Sequence, residues 1–166
     1  SEHIERYSLD EIKHRVGKIQ TSAENLYALL ENLLTWSRIQ RGAMEHSPEA
    51  IAIQEIVGEN ILLFTSKAEQ KQIILKSSIE PEISVYGDQN MIHTVVRNLI
   101  SNAMKFTHNG GTIEVLAQPH NEQYVEIAVA DTGIGIKQED LAKLFRIDVQ
   151  YTNVGTAGET GTGLGL

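Results

Sequence analysis

The segment that most constrains the fold is an alternating strand followed at once by a carboxylate and two glycines. Residues 124–130 alternate apolar with other side chains, a pattern that predicts a half-buried β-strand. The next six residues, 131–136, read Asp-Thr-Gly-Ile-Gly-Ile. A carboxylate at the end of a strand is placed to accept a hydrogen bond from a ligand, and Gly133 and Gly135 let the backbone turn tightly beside it. The same pattern also occurs as a simple Asx-capped turn, so it predicts a site only together with other features.

The composition narrows the class of protein. The chain has 166 residues, 41% hydrophobic and 22% charged, which fits one domain with an appended element. No apolar run reaches the length of a membrane span and no signal peptide opens the chain, so we expect no membrane segment in it and a cytoplasmic location. The lack of cysteine excludes disulfides and thiolate metal sites. A net charge of −8 argues against nucleic acid as the main partner and is compatible with a nucleotide.

The apolar spacing over residues 8–41 predicts one long helix. Ser8 to Glu11 fits a capping box, and Gly42 is a stop signal. Between them lies a heptad seam of about three repeats, formed by Ile12, Val16, Ile19, Ala23, Leu26, Leu30 and Leu33. Four further apolar residues widen it: Leu29, Leu34, Trp36 and Ile39. A single helix cannot bury this seam, so the sequence predicts packing, including that of Trp36, against a helix from another part of the protein or from another subunit.

The rest of the chain predicts an alternation of short strands and helices. Residues 42–48 are a polar connection and the predicted domain boundary, with domains over 1–43 and 44–166. Strands are expected at 49–53, 73–76, 83–86, 112–117 and 124–130, and helices at 54–70, 88–107 and 138–145. The first of these helices turns its apolar side inward through Ile56, Val57, Ile61, Phe64 and Ala68.

The helix at 88–107 carries a second informative pattern. Asp88 is a good N-cap, and the expected buried stripe consists of Ile92, Val95, Leu99, Ile100, Ala103 and Phe106. Asn98, Asn102 and Lys105 are spaced by four and three residues and project together from another face. Amide oxygens suit a hard cation and an ammonium suits phosphate. The alternative is an ordinary solvated face, but two asparagines inside a helix are an unfavourable choice for that purpose.

The C-terminal region is rich in glycine and threonine. Residues 146–160 predict a loop longer than a simple connection needs, and Gly161, Gly163 and Gly165 follow in a turn able to present N–H groups to phosphates. A Walker A loop is excluded because no Gly-Lys pair is followed by Ser or Thr. A dinucleotide fingerprint is excluded because a loop, not a strand, precedes the glycines.

In this order the motifs resemble those of the sensor histidine kinases of two-component systems, in the GHKL superfamily. Residues 98–106 look like the N box, 131–136 like the first glycine box and 161–165 like the second. Leu144-Phe145 is a partial match to the F box, and residues 8–41 look like the second helix of the dimerisation and phosphotransfer hairpin. The resemblance covers nearly the whole chain.

The resemblance implies an α/β fold, a two-layer α/β sandwich of the Bergerat type with one mixed sheet, helices on one face and ATP on the helix side. Asp131 would accept from the adenine amino group in a pocket shaped by Gly133, Gly135 and Ile136. Asn102 would coordinate Mg²⁺, with Asn98 beside it, and Lys105 would contact phosphate. The remaining nucleotide contacts would come from Phe145, Gly161, Thr162, Gly163, Leu164 and Gly165, with 146–160 as the lid.

The implied activity is phosphoryl transfer from ATP to a histidine and then to an aspartate of a response regulator receiver domain. The family's acceptor histidine is followed by an acid, whereas none of the six histidines here is. We therefore expect the first hairpin helix and its acceptor to be absent, and no autophosphorylation in cis. The chain also ends before the elements that normally complete the sandwich, so we expect an open sheet edge and a partly exposed core. The resemblance also implies that the whole kinase would form a homodimer through the N-terminal helix. That kinase could be a sensor of the inner membrane.

Two other functions compete with this interpretation. A gyrase-type or chaperone-type ATPase would use a glutamate as general base at the place where this chain has Asn98, and an amide cannot take a proton from water. A non-catalytic dimerisation module would use the heptad helix and would not bind nucleotide.

Overall fold

The N-terminal helix begins with the capping box that the sequence predicts. The computed structural model describes residues 8–40, 46–142, 144 and 155–158, and the chain divides into two units, Ser1–Met44 and Glu45–Leu166. In the first unit, α1 runs over Leu9–Gln40. The Ser8 N–H donates to Glu11 Oε2 at 2.7 Å, and the Glu11 N–H donates to Ser8 Oγ at 3.2 Å. These reciprocal bonds fix the helix start, and the hydrogen bond from the Ser8 backbone lowers the pKa of the Glu11 carboxyl.

The predicted seam of α1 is exposed wherever its side chains are described. About half or more of the surface of each of its large apolar residues is accessible: Ile12, Val16, Ile19, Leu26 and Leu30. The side chains of Leu29, Leu33, Trp36 and Ile39 lie outside the described part of the chain. An apolar seam of this kind contributes to stability only when another surface covers it and removes it from water.

The second unit alternates short strands with helices. Its helices are α2 (Ile53–Gln70), α3 (Gln89–Phe106) and α4 (Gln138–Leu141). Its strands are β1 (Glu49–Ala52), β2 (Ile74–Ile79), β3 (Ser84–Gly87), β4 (Thr112–Pro119) and β5 (Val125–Asp131). The predicted helix at 138–145 is shorter than expected, because α4 ends at Leu141, and Ile53 opens α2 instead of ending a strand.

The strands form a mixed sheet and a small separate sheet. The mixed sheet has the order β2-β4-β5, with β2 parallel to β4 and β5 antiparallel to it. Within the described ranges β1 and β3 pair with each other, antiparallel over four residue pairs, and not with the mixed sheet, so the prediction of one sheet is wrong for these two strands. The predicted two-layer α/β sandwich with a mixed sheet is confirmed.

The core lies between the helices and one face of the mixed sheet. Its fully buried members include Ile53, Ile56 and Val57 of α2, Val96 and Ile100 of α3, and Ile113 and Val115 of β4. Ile61 and Phe64 are partly buried against it, and Ala68 is buried, as the sequence predicts. The outer face of the sheet carries a polar cluster: Glu114 accepts from Ser78 Oγ at 2.7 Å and pairs with Lys76 Nζ at 3.1 Å.

The buried side of α3 differs from the predicted stripe. Val95 was expected to be buried and is 57% exposed, whereas Val96 and Met104 are fully buried. The helix presents the row at 96, 100 and 104, spaced by four residues, to the sheet, and this turns Val95 away by about 100°. Val95 instead helps to line an open apolar cavity of 210 Å³ between α3 and β5, whose walls are Met91, Ile92, Val95, Val96, Leu99 and Ile127.

Asp88 caps α3 as predicted and also holds the segment that enters the domain. Its Oδ1 accepts from the Met91 N–H at 3.0 Å, and its Oδ2 accepts from the Ser47 N–H at 3.0 Å. The two backbone donors, Ser47 first, lower the pKa of the Asp88 carboxyl. The start of α3 is therefore fixed relative to the residues that precede β1.

Candidate functional site

The C-terminal end of α3 is the point where three other segments of the domain meet. A helix leaves its last carbonyl groups without partners inside the helix. Here three donors from three segments satisfy them: Lys71 Nζ donates to the Met104 carbonyl at 2.8 Å, the Thr156 N–H to that of Lys105 at 3.0 Å, and the Ile134 N–H to that of Phe106 at 3.2 Å. The helix with the polar face, the loop after β5 and residues 155–158 are thereby joined.

The loop after β5 combines an Asx turn with an available carboxylate oxygen. Asp131 is exposed at the end of the strand, and its Oδ1 accepts from the Gly133 N–H at 2.8 Å. Its Oδ2 has no hydrogen-bond partner among the described residues. The capped turn and the ligand acceptor are therefore compatible, because each uses a different oxygen of the same carboxylate.

The two glycines of this loop are required for different reasons. A Cβ added to Gly133 would lie 2.4 Å from the carbonyl oxygen of Phe106 and 2.6 Å from Asp131 Oδ1, so only glycine permits the loop to dock on α3. Gly135 has open space around it and a φ of +66°, a conformation that favours glycine. Beside them, about half the surface of Ile134 and Ile136 is exposed, which leaves apolar surface next to the Asp131 carboxylate.

The polar face of α3 lies close to this loop. Asn98, Asn102 and Lys105 are all half-buried, and Asn102 is one helical turn, about 6 Å along the axis, before Phe106. Neither asparagine amide forms a hydrogen bond with the part of the chain that the structure describes. Lys105 Nζ lies 4.6 Å from the centroid of the Phe106 ring, a cation–π contact. The face thus offers two uncommitted amides beside an ammonium.

These amides fit a cation that arrives with phosphates. No group of three or more His, Asp or Glu side chains able to hold a metal occurs in the described ranges. Mg²⁺ in phosphate-transfer sites commonly keeps several waters and takes few protein ligands together with phosphate oxygens. With waters and phosphate oxygens as the other ligands, the amide oxygens of Asn98 and Asn102 are the neutral oxygen ligands that this face could offer to such an ion.

Some predicted site residues have no structural description. Phe145, Gly161, Thr162, Gly163, Leu164 and Gly165 lie outside the described residues. Conversely, sequence reasoning missed Lys71 and Thr156, which meet at the end of α3. A lysine at the end of a helix is ordinarily solvated, and a threonine in a loop has no periodicity, so neither carried a signal.

Among the helices described, none combines the length and the apolar character that crossing a bilayer requires.

Known proteins share sequence with the part of the chain that carries the motifs. The family described as "Histidine kinase-, DNA gyrase B-, and HSP90-like ATPase" matches residues 87–166. The autoinducer 2 sensor kinase/phosphatase LuxQ of Vibrio cholerae is 30% identical over 161 residues, which are 95% of this chain and 19% of LuxQ. The chain thus spans about a fifth of the length of the curated relatives it matches first.

Solved structures share the fold. Full-length ShkA in complex with AMPPNP superposes with a TM-score of 0.70 at 24% identity, over 96% of this chain and 33% of that one. The histidine kinase ThkA in complex with the response regulator protein TrrA gives a TM-score of 0.72 at 20% identity, over 92% and 43% of the two chains. The motif boxes, the family match and the named relatives agree: residues 87–166 match the histidine kinase-, DNA gyrase B- and HSP90-like ATPases, and the chain is similar to the sensor histidine kinases.

Proposed function

We propose that this chain contains the ATP-binding catalytic part of a two-component sensor histidine kinase. In that role it supports transfer of the γ-phosphoryl group of ATP to a histidine, from which an aspartate of a response regulator receives it. The observation that carries the proposal is the joining of the Asp131 loop and the Asn98–Asn102 face at one end of α3. The relation to sensor kinases and the ThkA–TrrA complex support the choice of phosphate acceptor.

The proposal gives each site residue a role. Asp131 Oδ2 accepts a hydrogen bond from the adenine amino group, while Oδ1 keeps the turn in shape. Gly133 holds the loop on α3, Gly135 supplies the turn, and Ile136 covers the base. Because the acceptor oxygen is one of only a few polar groups that face a flat apolar ligand, its loss should weaken binding strongly.

The phosphate end of the nucleotide would lie along α3. Asn102 would ligate Mg²⁺, which when bound neutralises charge on the β- and γ-phosphates, and Asn98 would lie beside it. The Lys105 ammonium would leave its contact with the Phe106 ring to meet a phosphate oxygen. Phe145, Thr162, Leu164 and the glycines at 161, 163 and 165 would complete the pocket, and the three glycines would direct their N–H groups at phosphate. Catalysis would come mainly from positioning and charge neutralisation.

The amide at position 98 separates this proposal from a gyrase-type or chaperone-type ATPase. An amide has no basic lone pair with which to activate water, so hydrolysis of ATP by the chain alone should be negligible. Steady release of inorganic phosphate by the purified chain, lost in Asn98→Ala, would favour the hydrolase instead.

A thermal melt with and without MgATP tests the nucleotide site. At a concentration about a hundred times its dissociation constant, MgATP should raise the melting temperature by about 10 °C. Asp131→Asn keeps the shape and Oδ1-like acceptor of the turn but replaces the other oxygen with a donor, which faces the adenine amino group unfavourably. The rise should disappear in this variant, while its melt without nucleotide stays close to that of the wild type. An equal rise in both proteins would contradict the assigned role of Asp131.

The exposed seam of α1 favours a second role, dimerisation. About half or more of each of its described large apolar side chains is accessible, and a second copy of the same helix has the matching heptad pattern. Sedimentation analysis should give a dimer for the wild type and a monomer for Ile19→Glu, because burying the glutamate charge in the seam would disfavour association. A wild-type monomer at micromolar concentration would refute this role without affecting the nucleotide site.

A further inference from the structure

Lys71 is a buried lysine at the junction of the candidate site. Only 7% of its surface is exposed, although it directly follows the last residue of α2. Its ammonium donates to the Met104 carbonyl at 2.8 Å and to Thr156 Oγ1 at 2.9 Å. Burial of an ammonium is costly unless its protons are bonded, and the negative end of the α3 dipole offers a favourable place for the charge. The ammonium therefore links the end of α3 to the segment at 155–158.

Thr156 is held to α3 through both its backbone and its side chain. Its N–H donates to the Lys105 carbonyl at 3.0 Å. Its hydroxyl accepts from Lys71 and has two carbonyl acceptors within reach, that of Thr107 at 2.8 Å and that of Lys105 at 3.1 Å. A hydroxyl has one proton, so the shorter contact to Thr107 takes the larger share of it. The hydroxyl thus serves as acceptor and donor at once, which valine at this position could not do.

The turn that contains Thr156 is closed by its own backbone. The Gly158 N–H donates to the Gly155 carbonyl at 3.0 Å, and Gly158 has a φ of +81°. The turn is therefore a small defined unit fixed to α3, rather than a length of chain that passes by it.

The position of this turn limits where the last glycine-rich motif can reach. Gly161 follows Thr156 by five residues, and five residues span at most about 17 Å even when fully extended. Thr156 is bonded to Lys105, one of the residues predicted to contact phosphate. Fixing Thr156 to the Lys105 carbonyl therefore sets an upper limit, about 17 Å, on how far Gly161 can lie from the end of α3.

We propose that Lys71 and Thr156 are positioning residues of the nucleotide site, and that their side-chain hydrogen bond clamps the chain before the last glycine-rich motif onto the end of α3. This inference rests on the proposed ATP-binding function. Neither residue touches the nucleotide in this proposal. Molecules with an open clamp bind nucleotide poorly. The apparent dissociation constant therefore rises in inverse proportion to the fraction of molecules in which the clamp is closed.

The test compares nucleotide affinity with ligand-free stability in the full chain. Thr156→Val keeps the volume and the backbone bond but removes the hydroxyl, and Thr156→Ser restores it. We expect Thr156→Val to raise the dissociation constant for MgATP, measured by calorimetric titration, about fivefold to tenfold. Without nucleotide its melting temperature should fall by no more than about 5 °C, because Lys71 keeps its hydrogen bond to the Met104 carbonyl. Thr156→Ser should bind within about twofold of the wild type.

Lys71→Met provides the other half of the test. It should weaken binding to a similar extent, and Thr156→Val should have a smaller effect in the Lys71→Met background than alone, because both changes remove the same bond. Should Lys71→Met fail to fold, the comparison of Thr156→Val with Thr156→Ser still tests the inference. Wild-type affinity in Thr156→Val, or a loss in Thr156→Ser equal to that in Thr156→Val, would overturn the inference while the ATP function stands. Absence of MgATP binding by the wild type would overturn the proposed function, and this inference with it.

Discussion

The close approach of Gly133 to α3 makes Gly133→Ala the sharpest test of the site geometry. A Cβ at this position would lie 2.4 Å from the carbonyl oxygen and 2.8 Å from the carbonyl carbon of Phe106. Ordinary contacts between such atoms are about 1 Å longer. Both obstructing atoms belong to the backbone at the end of a helix, so they cannot rotate away as a flexible side chain does.

The cost follows from what must move. The loop has to withdraw by about 1 Å, which stretches the hydrogen bond from the Ile134 N–H to the Phe106 carbonyl, now 3.2 Å, beyond a useful length. Overpacking of this kind costs about 1–3 kcal/mol, and the lost bond about 1 kcal/mol more. We expect Gly133→Ala to lower the free energy of unfolding by about 2–4 kcal/mol and to weaken MgATP binding as well.

Urea unfolding followed by circular dichroism measures the change, and Gly58→Ala is the matched control. Gly58 lies inside α2, and a Cβ added there would have nothing within 4 Å. Alanine should therefore stabilise the domain by about 1 kcal/mol through its higher helix propensity. The steric argument is refuted if Gly133→Ala unfolds at the same urea concentration as the wild type.

Three further predictions concern single side chains. Because backbone donors, Ser47 first, lower the pKa of Asp88 in the folded state, its charged form stabilises the fold above the ordinary carboxyl range, and this contribution is lost as the pH falls through the lowered pKa. Asp88→Asn should therefore melt below the wild type at pH 7, and the difference should shrink as the pH falls into the acid range. A constant difference across this range would contradict the assignment. Thr107 is fully buried, and its Oγ1 has no hydrogen-bond partner among the described residues. Thr107→Val should therefore leave the free energy of unfolding in urea unchanged or raise it by up to about 1 kcal/mol. A clear fall in that free energy would reveal an acceptor for the hydroxyl. Glu114 accepts from Ser78 and Lys76 on the open face of the sheet, so Glu114→Gln should shift the melting temperature by less than about 2 °C, and 1 M salt should remove the shift.

Much of the local structure was readable from the sequence because short-range physics decides it. The capping box from Ser8 to Glu11 and the N-cap at Asp88 involve bonds between residues three apart, and both are present as predicted. The alternating run before Asp131 is strand β5 because a period of two fits one buried face. These signals depend on neighbours along the chain, which the sequence itself supplies.

Errors arose where the sequence leaves a choice between similar surfaces. On α3 both Val95 and Val96 are apolar, and the helical period alone does not decide which faces the sheet. The contact with β4 and β5 selects the row that contains Val96, and Val95 turns to the open cavity. Likewise, β1 and β3 pair with each other rather than with the mixed sheet, a choice between partners distant in sequence.

The sequence by itself predicted the kind of site, because a carboxylate beside glycines, two asparagines on one helix face and a glycine-rich motif each have a chemistry that their order makes specific. Only the tertiary structure decided what joins them. Lys71 and Thr156 are 85 positions apart, and Gly133 is required by a carbonyl of α3 rather than by its own backbone angles. Contacts of that kind depend on how helix ends and loops come together in three dimensions, and no pattern of neighbouring residues encodes them.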